Sequence, residues 1–424
     1  MIIDYTKFFS KVTNRRRINL IRELTGLYLT KPNCITLAAG MPNATTYPIN
    51  NISMAYKYDI SVKLNEHEMA AVLEYGSSQG YAPLLEKWKE FQKTWHSPKR
   101  NDWDVAFTCG SMDACEKIFL MLIDENDPVM LQTPTYTGVI GAIAPLLPDV
   151  IEINQDGDGL IPEQISKECE QRLKDGRTMP KLLYVNPTGA NPTGAVMSEI
   201  RRKKVYELAQ KYNFLIIEDD PYCFIHYLDK QPMSFFSLDT DGRVIRIDSF
   251  SKVISAGFRI GVTTAHKDII NKLIVHITSS TLHASALSQM FLYKLFENWG
   301  PQEFEQHFKE IQKFYQKRRD GMLTMIEKHL NGLAEWHIPQ GGMFFWIKVT
   351  VVDDTMDLVM NKCIPQGVFV LPGNAFSYDP LKHDCHLRLS YSYCSLEEMD
   401  KGLSIIAKII HEEAAKKSNI QIHT

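Results

Sequence analysis

The chain has 424 residues, of which 44% are hydrophobic and 23% charged, with a formal net charge of −3. These proportions exclude a disordered or fibrous chain, and without a basic excess there is no electrostatic reason to expect nucleic acid as a partner. No apolar run approaches the roughly 18 residues of a membrane helix, and eight cysteines without a CxxC pair form neither a zinc site nor a disulfide framework.

The first residues lack a signal-peptide core, because Asp4 follows Ile2 and Ile3 at once. Arg15, Arg16 and Arg17 read as a solvated helix start, with a mitochondrial presequence as the alternative. Asn43-Ala44-Thr45 and Asn51-Ile52-Ser53 match the glycosylation pattern, which carries no weight without a secretory signal. Cysteine usage points to the cytoplasm or the mitochondrial matrix.

From residue 105 the chain alternates. Apolar runs predict strands at Val105–Thr108, Pro128–Gln132, Val150–Ile153, Leu182–Val185, Phe214–Ile217, Val244–Ile247 and Arg259–Thr263. Between them, helical spacing covers a stretch after Ser111, then Gly138–Leu147, Pro162–Leu173 and Glu199–Tyr212. Continuous apolar strands separated by helices mean an α/β fold with a mostly parallel central sheet covered on both faces. Two long helices follow, Lys267–Trp299 and Gln302–Leu330, split at Gly300-Pro301. Gly342–Val349 and His386–Ser392 then read as strands, and Ser395 with Glu398 as a capping box before the last helix. We expect a large domain over residues 48–310 and a smaller α+β domain made of 1–47 with 311–424.

Five features fall at strand ends of the parallel region or on the late strand. Thr108-Cys109-Gly110-Ser111-Met112 opens a helix, whose N-terminal amides favour an anion. Asn191-Pro192-Thr193-Gly194 turns the chain and presents an amide side chain, or is a bare turn. Glu218-Asp219-Asp220-Pro221-Tyr222 ends an apolar strand in carboxylates suited to a protonated ring nitrogen; a helix cap or a metal is the competing reading, and no histidine lies near enough to favour the metal. Ser249-Phe250-Ser251-Lys252 with Arg259 combines an imine-forming amine with groups that hold a phosphate, or is a polar surface loop. Arg388 sits on an apolar strand, which is costly without an anion or a structural ion pair. Neither a Walker loop nor GxGxxG is present, which sets aside P-loop and nicotinamide enzymes.

In this order, the five features resemble the fold-type I, class I/II pyridoxal-phosphate aminotransferases across essentially the whole chain. Leu37-Ala38-Ala39-Gly40, Ser280-Thr281-Leu282-His283 and Leu371-Pro372-Gly373-Asn374-Ala375-Phe376 are similar to the branch acting on kynurenine and 2-aminoadipate. The resemblance implies pyridoxal 5'-phosphate as cofactor, with Lys252 as its anchor and proton shuttle. It implies Asp219 on the ring nitrogen, Tyr222 and Asn191 on the ring's phenolic oxygen, and Tyr136 stacked on the ring. Ser111, the Met112 amide, Ser249, Ser251 and Arg259 would hold the phosphate. Arg388 would bind the substrate α-carboxylate, with Asn191, Arg22 and Gly40 beside the substrate. Tyr75 would reach the partner subunit's site in a homodimer. The implied reaction is transamination with an acceptor such as 2-oxoglutarate, ping-pong through pyridoxamine phosphate. A broad aromatic or methionine aminotransferase and a cysteine-conjugate β-lyase are the alternatives. A non-enzymatic ligand sensor on the same scaffold is disfavoured, because the resemblance starts too early to leave room for a DNA-binding module.

Overall fold

The computed structural model describes residues 3–17 and 40–422, with positions 20, 21, 24, 31, 35 and 37 between them. Its centre is an eight-stranded sheet. A hairpin of β1 (Ser53–Tyr56) and β2 (Ile60–Lys63) precedes it. The sheet uses β3 (Trp103–Thr108), β4 (Pro128–Thr133), β5 (Asp149–Asp156), β6 (Gly159–Leu160), β7 (Leu182–Val185), β8 (Leu215–Asp219), β9 (Val244–Ser249) and β10 (Gly261–His266). Their order is β3-β10-β9-β8-β7-β4-β5-β6. Neighbours from β9 through β5 run parallel, whereas β10 is antiparallel to both β3 and β9.

Every residue of β7 and β8 is buried, as expected for strands covered on both faces. One core packs Ile118, Phe119 and Leu122 of helix Ser111–Leu122 against one face, and another packs Val205 and Leu208 of helix Glu199–Tyr212 against the other. A second sheet, β11 (Ala334–Trp336), β12 (Phe344–Val349), β14 (His386–Ser390) and β13 (Leu371–Pro372), is wholly antiparallel. Helix Pro301–Leu330 joins the two bodies. Its Phe304 and Phe308 belong to a core beside the large sheet, and its Met322, Ile326 and Leu330 to the core of the small one.

Several boundaries differ from the sequence reading. The stretch Lys267–Trp299 is two helices, Lys267–Ser280 and Ala286–Asn298. Leu282 has a positive φ of 68°, and Ser285 caps the second helix by accepting from the Ser288 amide. Gly342 has a φ of +70°, so β12 starts two residues later than expected. Helix Gly138–Leu147 starts at Thr137 and tightens into a 3₁₀ turn at Ala144–Leu146, where Pro145 stops it. Arg259 is not in a strand; it occupies a left-handed turn (φ 50°) before β10. Arg15–Arg17 lie at the end of helix Lys11–Arg15, not at its start.

The segment placed with the small domain also behaves differently where it is described. Ile3, Tyr5, Phe8 and Phe9 are buried in the core of the large sheet. The Tyr5 hydroxyl donates to the Gly242 carbonyl at 2.8 Å, and the Ser10 amide to the Met121 carbonyl at 2.8 Å. Four apolar side chains set this choice, because leaving them exposed costs about 1.5–3 kcal/mol each.

Candidate active site

The carboxyl ends of β7, β8 and β9 face the small sheet across a cavity of about 380 Å³. Its walls hold Ser111, Met112, Tyr136, Asn191, Asp219 and Tyr222. Ser249, Ser251, Lys252, Arg259 and Arg388 line it as well. Residues as far apart as 111 and 388 meet because ligand crevices in open α/β sheets form at strand carboxyl ends.

Asp219 ends β8 and is buried. Its Oδ2 accepts from the Tyr184 hydroxyl at 2.6 Å, while its Oδ1 has no hydrogen-bond partner. Burial pushes this carboxyl up to about 7, helped by the neighbouring charges of Asp220 and Asp248 and opposed by Tyr184 and Arg246. A buried acceptor left open is what a protonated ring nitrogen requires.

Lys252 follows β9 and lines the cavity. Loss of surrounding water, then the charges of Arg388 and Arg259, lower its pKa from the ordinary lysine value. A lysine so placed has a larger neutral, nucleophilic fraction.

Three chain segments meet around Arg259. The Arg259 Nη1 donates to the Ser251 Oγ and to the Ala256 carbonyl, both at 3.2 Å. Gly110 has a φ of +97°, and a Cβ there would collide with the Arg259 guanidinium. Gly261 pairs with both Thr108 and Ser249, so the start of β10 lies between the ends of β3 and β9.

Arg388 reaches across from β14. Its Nη1 donates to the Asn191 Oδ1 at 2.9 Å, and its guanidinium lies 4.1 Å from the Phe344 ring centre and 5.2 Å from that of Phe376. Its Nε is buried without a partner. Burial lowers the Arg388 pKa, so the site has an unmet demand for an anion.

The cavity does not contain every predicted residue. Tyr75 is half exposed, edge-on to His283 with ring centres 6.4 Å apart. Gly40 is exposed with open space around it and does not line the cavity. Arg22 lies outside the described residues.

Sequence reasoning missed Asn186, Tyr184 and Phe344. Asn186 is buried; its amide donates to the Asp219 carbonyl at 2.6 Å and its oxygen accepts from the Asn191 amide at 2.9 Å. A signal was present: Asn186-Pro187-Thr188-Gly189 repeats the tetrad Asn191-Pro192-Thr193-Gly194 five residues earlier.

The family "Aminotransferase class I and II" matches residues 33–406. The kynurenine/alpha-aminoadipate aminotransferase, mitochondrial, of Bos taurus is 35% identical over 423 residues, covering 97% of this chain and 100% of its own. Aromatic-amino-acid aminotransferase 1 of Thermococcus litoralis is 32% identical, covering 98% and 96%. Among solved structures, kynurenine aminotransferase from Pyrococcus horikoshii, in complex with PMP and with KYN and KYA as substrates and products, superimposes with a TM-score of 0.77. It is 30% identical and covers 97% of this chain and 98% of its own. The chain belongs to the class I and II aminotransferases, enzymes that depend on pyridoxal phosphate. Its fold is that of the fold-type I members. Among the described residues no helix is long and apolar enough to cross a membrane.

Proposed function

We propose that this chain transaminates kynurenine, 2-aminoadipate and related amino acids, passing the amino group to a 2-oxo acid such as 2-oxoglutarate. The observation that carries the reading is the convergence of Lys252, Asp219 and Arg388 on one cavity, with the Asp219 Oδ1 and the Arg388 Nε both buried and unpartnered. The residues fit pyridoxal phosphate. Ser111, Ser249, Ser251, Arg259 and the Met112 amide would hold its phosphate, Asp219 its ring nitrogen, Tyr222 and Asn191 its phenolic oxygen, and Tyr136 its ring face. When bound, the cofactor supplies a carbonyl carbon to take up the amino group and a ring that withdraws electrons from the α-carbon.

Arg388 binds the α-carboxylate through its fork of N–H donors. Asn191 and the Phe344 and Phe376 rings hold that fork in place. Because Arg388 and Lys252 line one cavity, a carboxylate held by Arg388 would place the α-carbon in the same space as the Lys252 amine. The Lys252 Nζ, its pKa lowered, takes the α-proton and later returns one on the way to the 2-oxo acid. Asp219, buried and hydrogen-bonded to Tyr184, would hold the ring nitrogen in its protonated form.

We also assign the chain to a homodimer in which Tyr75 completes the partner's site, and to the mitochondrial matrix or the cytosol. The first rests on the exposure of Tyr75 away from its own cavity. The second rests on the mitochondrial designation of the bovine relative and on the described cysteines being free thiols. Relatives with aromatic donors keep a broader specificity as the second reading.

A donor screen with 2-oxoglutarate as acceptor tests the proposal. Kynurenine and 2-aminoadipate are expected among the best donors, with parallel double-reciprocal plots. Intersecting lines, or pyruvate release from a cysteine conjugate without an acceptor, would overturn it.

A further inference from the structure

A second cavity of about 310 Å³ lies between the two bodies, and Phe376, whose ring also meets the Arg388 guanidinium, is part of its wall. Its large-sheet wall is Pro134 and the β5–β6 turn; its other wall is Trp346, Phe376, Ser377 and His386. The size falls within the range of small-molecule sites.

Its chemistry is specific in two respects. First, every carboxylate and the lysine in the lining already have an opposite partner, and His337 lies close enough to Asp156 to act on its charge. Asp156 holds Arg201 at 2.5 and 2.8 Å, Lys382 holds Glu152 at 2.8 Å, and Asp384 holds the His386 Nδ1 at 2.7 Å. An ionic ligand would have to break one of these pairs. Second, the Ser377 hydroxyl is nine-tenths buried and has no hydrogen-bond partner, which leaves a polar demand on the wall. Beside it, Trp346 stacks on His386 with ring centres 4.9 Å apart and planes 7° from parallel, and Phe376 meets Trp346 edge-on. Aromatic walls with a few neutral hydrogen-bonding groups favour a flat, polar-edged ring.

We propose that this cavity is a second binding site, separate from the transamination site, for an uncharged planar heterocycle of indole or purine size. Ser377 takes its polar edge and Trp346 and Ile338 its apolar surface.

Calorimetric titration of the holoenzyme with adenine and, separately, with indole tests this. At least one probe is expected to bind once per chain with a Kd below about 1 mM, undisturbed by saturating 2-oxoglutarate. Ser377→Ala removes an unpartnered group and should not unfold the chain; it is expected to weaken binding by about fivefold. Ile338→Trp places an indole at the half-exposed rim and is expected to abolish binding. The proposal is overturned if neither probe saturates, if 2-oxoglutarate displaces the probe, or if binding survives Ile338→Trp. None of these readouts depends on transaminase turnover, so a failure here is distinct from a failure of the activity assignment.

Discussion

Arg388 on the small sheet donates to Asn191 on the large body, a 2.9 Å bond between residues 197 positions apart. The bond orients one Nη toward the protein and leaves the rest of the fork for the carboxylate we propose it binds. Asn191→Ala should therefore raise KM for both amino donor and oxo-acid acceptor by about tenfold, the worth of one hydrogen bond to a charged group. Arg388→Lys keeps the charge but loses the bidentate geometry, and should raise KM by about 100-fold. Steady-state kinetics on both half-reactions checks this; a change confined to one substrate would contradict a shared carboxylate site.

Lys252→Ala should remove the visible absorbance of the cofactor–lysine linkage and lower turnover by at least about 10⁴-fold, the upper end for a lost proton-transfer group. Absorbance spectra and single-turnover assays measure the two effects separately. Survival of the band would move the anchor to another residue.

Asp219 carries a sign that can be measured in the cofactor-free protein. Its carboxyl is raised from 3.8 to about 7 by burial. The folded chain thus holds the proton more tightly than the unfolded chain between about pH 4 and 7, and stability falls as pH rises through that window. The loss approaches about 4 kcal/mol above it. Asp219→Asn removes this penalty. Compared with the unmodified chain, it should be the more stable protein at pH 8, with the gap shrinking toward pH 5. Urea melts at the two values decide it, and an equal gap at both would refute the assignment. The same variant, with cofactor restored, should lose at least about 100-fold in activity.

Gly110→Ala places a methyl group against the Arg259 guanidinium in a backbone conformation that disfavours side chains. Cofactor affinity should drop at least about tenfold, because Arg259 must leave its contact with Ser251. Fluorescence quenching by added pyridoxal phosphate provides the measurement, and unchanged affinity would remove Arg259 from the phosphate site.

The dimer assignment predicts a hydrodynamic mass of twice the 48.6 kDa chain. Tyr75→Phe should lower activity without changing that mass. A fully active species of single-chain mass would rule out the shared site.

Much of this site was legible in the sequence because its residues follow strands whose burial is written as unbroken apolar runs. Leu182–Val185 and Glu199–Tyr212 are found where their patterns predict. The β1–β2 hairpin was not anticipated, and its turn explains why. Tyr58 and Asp59 take positive φ values of 64° and 56° without a glycine, so the usual turn signal is missing. The packing of Phe344 and Phe376 on Arg388 was equally hidden, since it depends on how the small sheet meets the large one. Ile3 to Phe9 went to the wrong body for the same reason: an apolar segment announces that it will be buried, not against what.

The reversal of β10 has a geometric consequence. A parallel strand in that slot would begin at the opposite edge of the sheet, and six residues at about 3.4 Å each would carry Arg259 roughly 20 Å from Ser251. Running against its neighbours, β10 instead delivers at its entrance what the parallel strands deliver at their exits. A basic side chain that precedes a strand and acidic and hydroxyl side chains that follow others thereby share one rim. A single change of direction, rather than any excess of positive charge, gives this acidic chain the corner we propose for the cofactor phosphate.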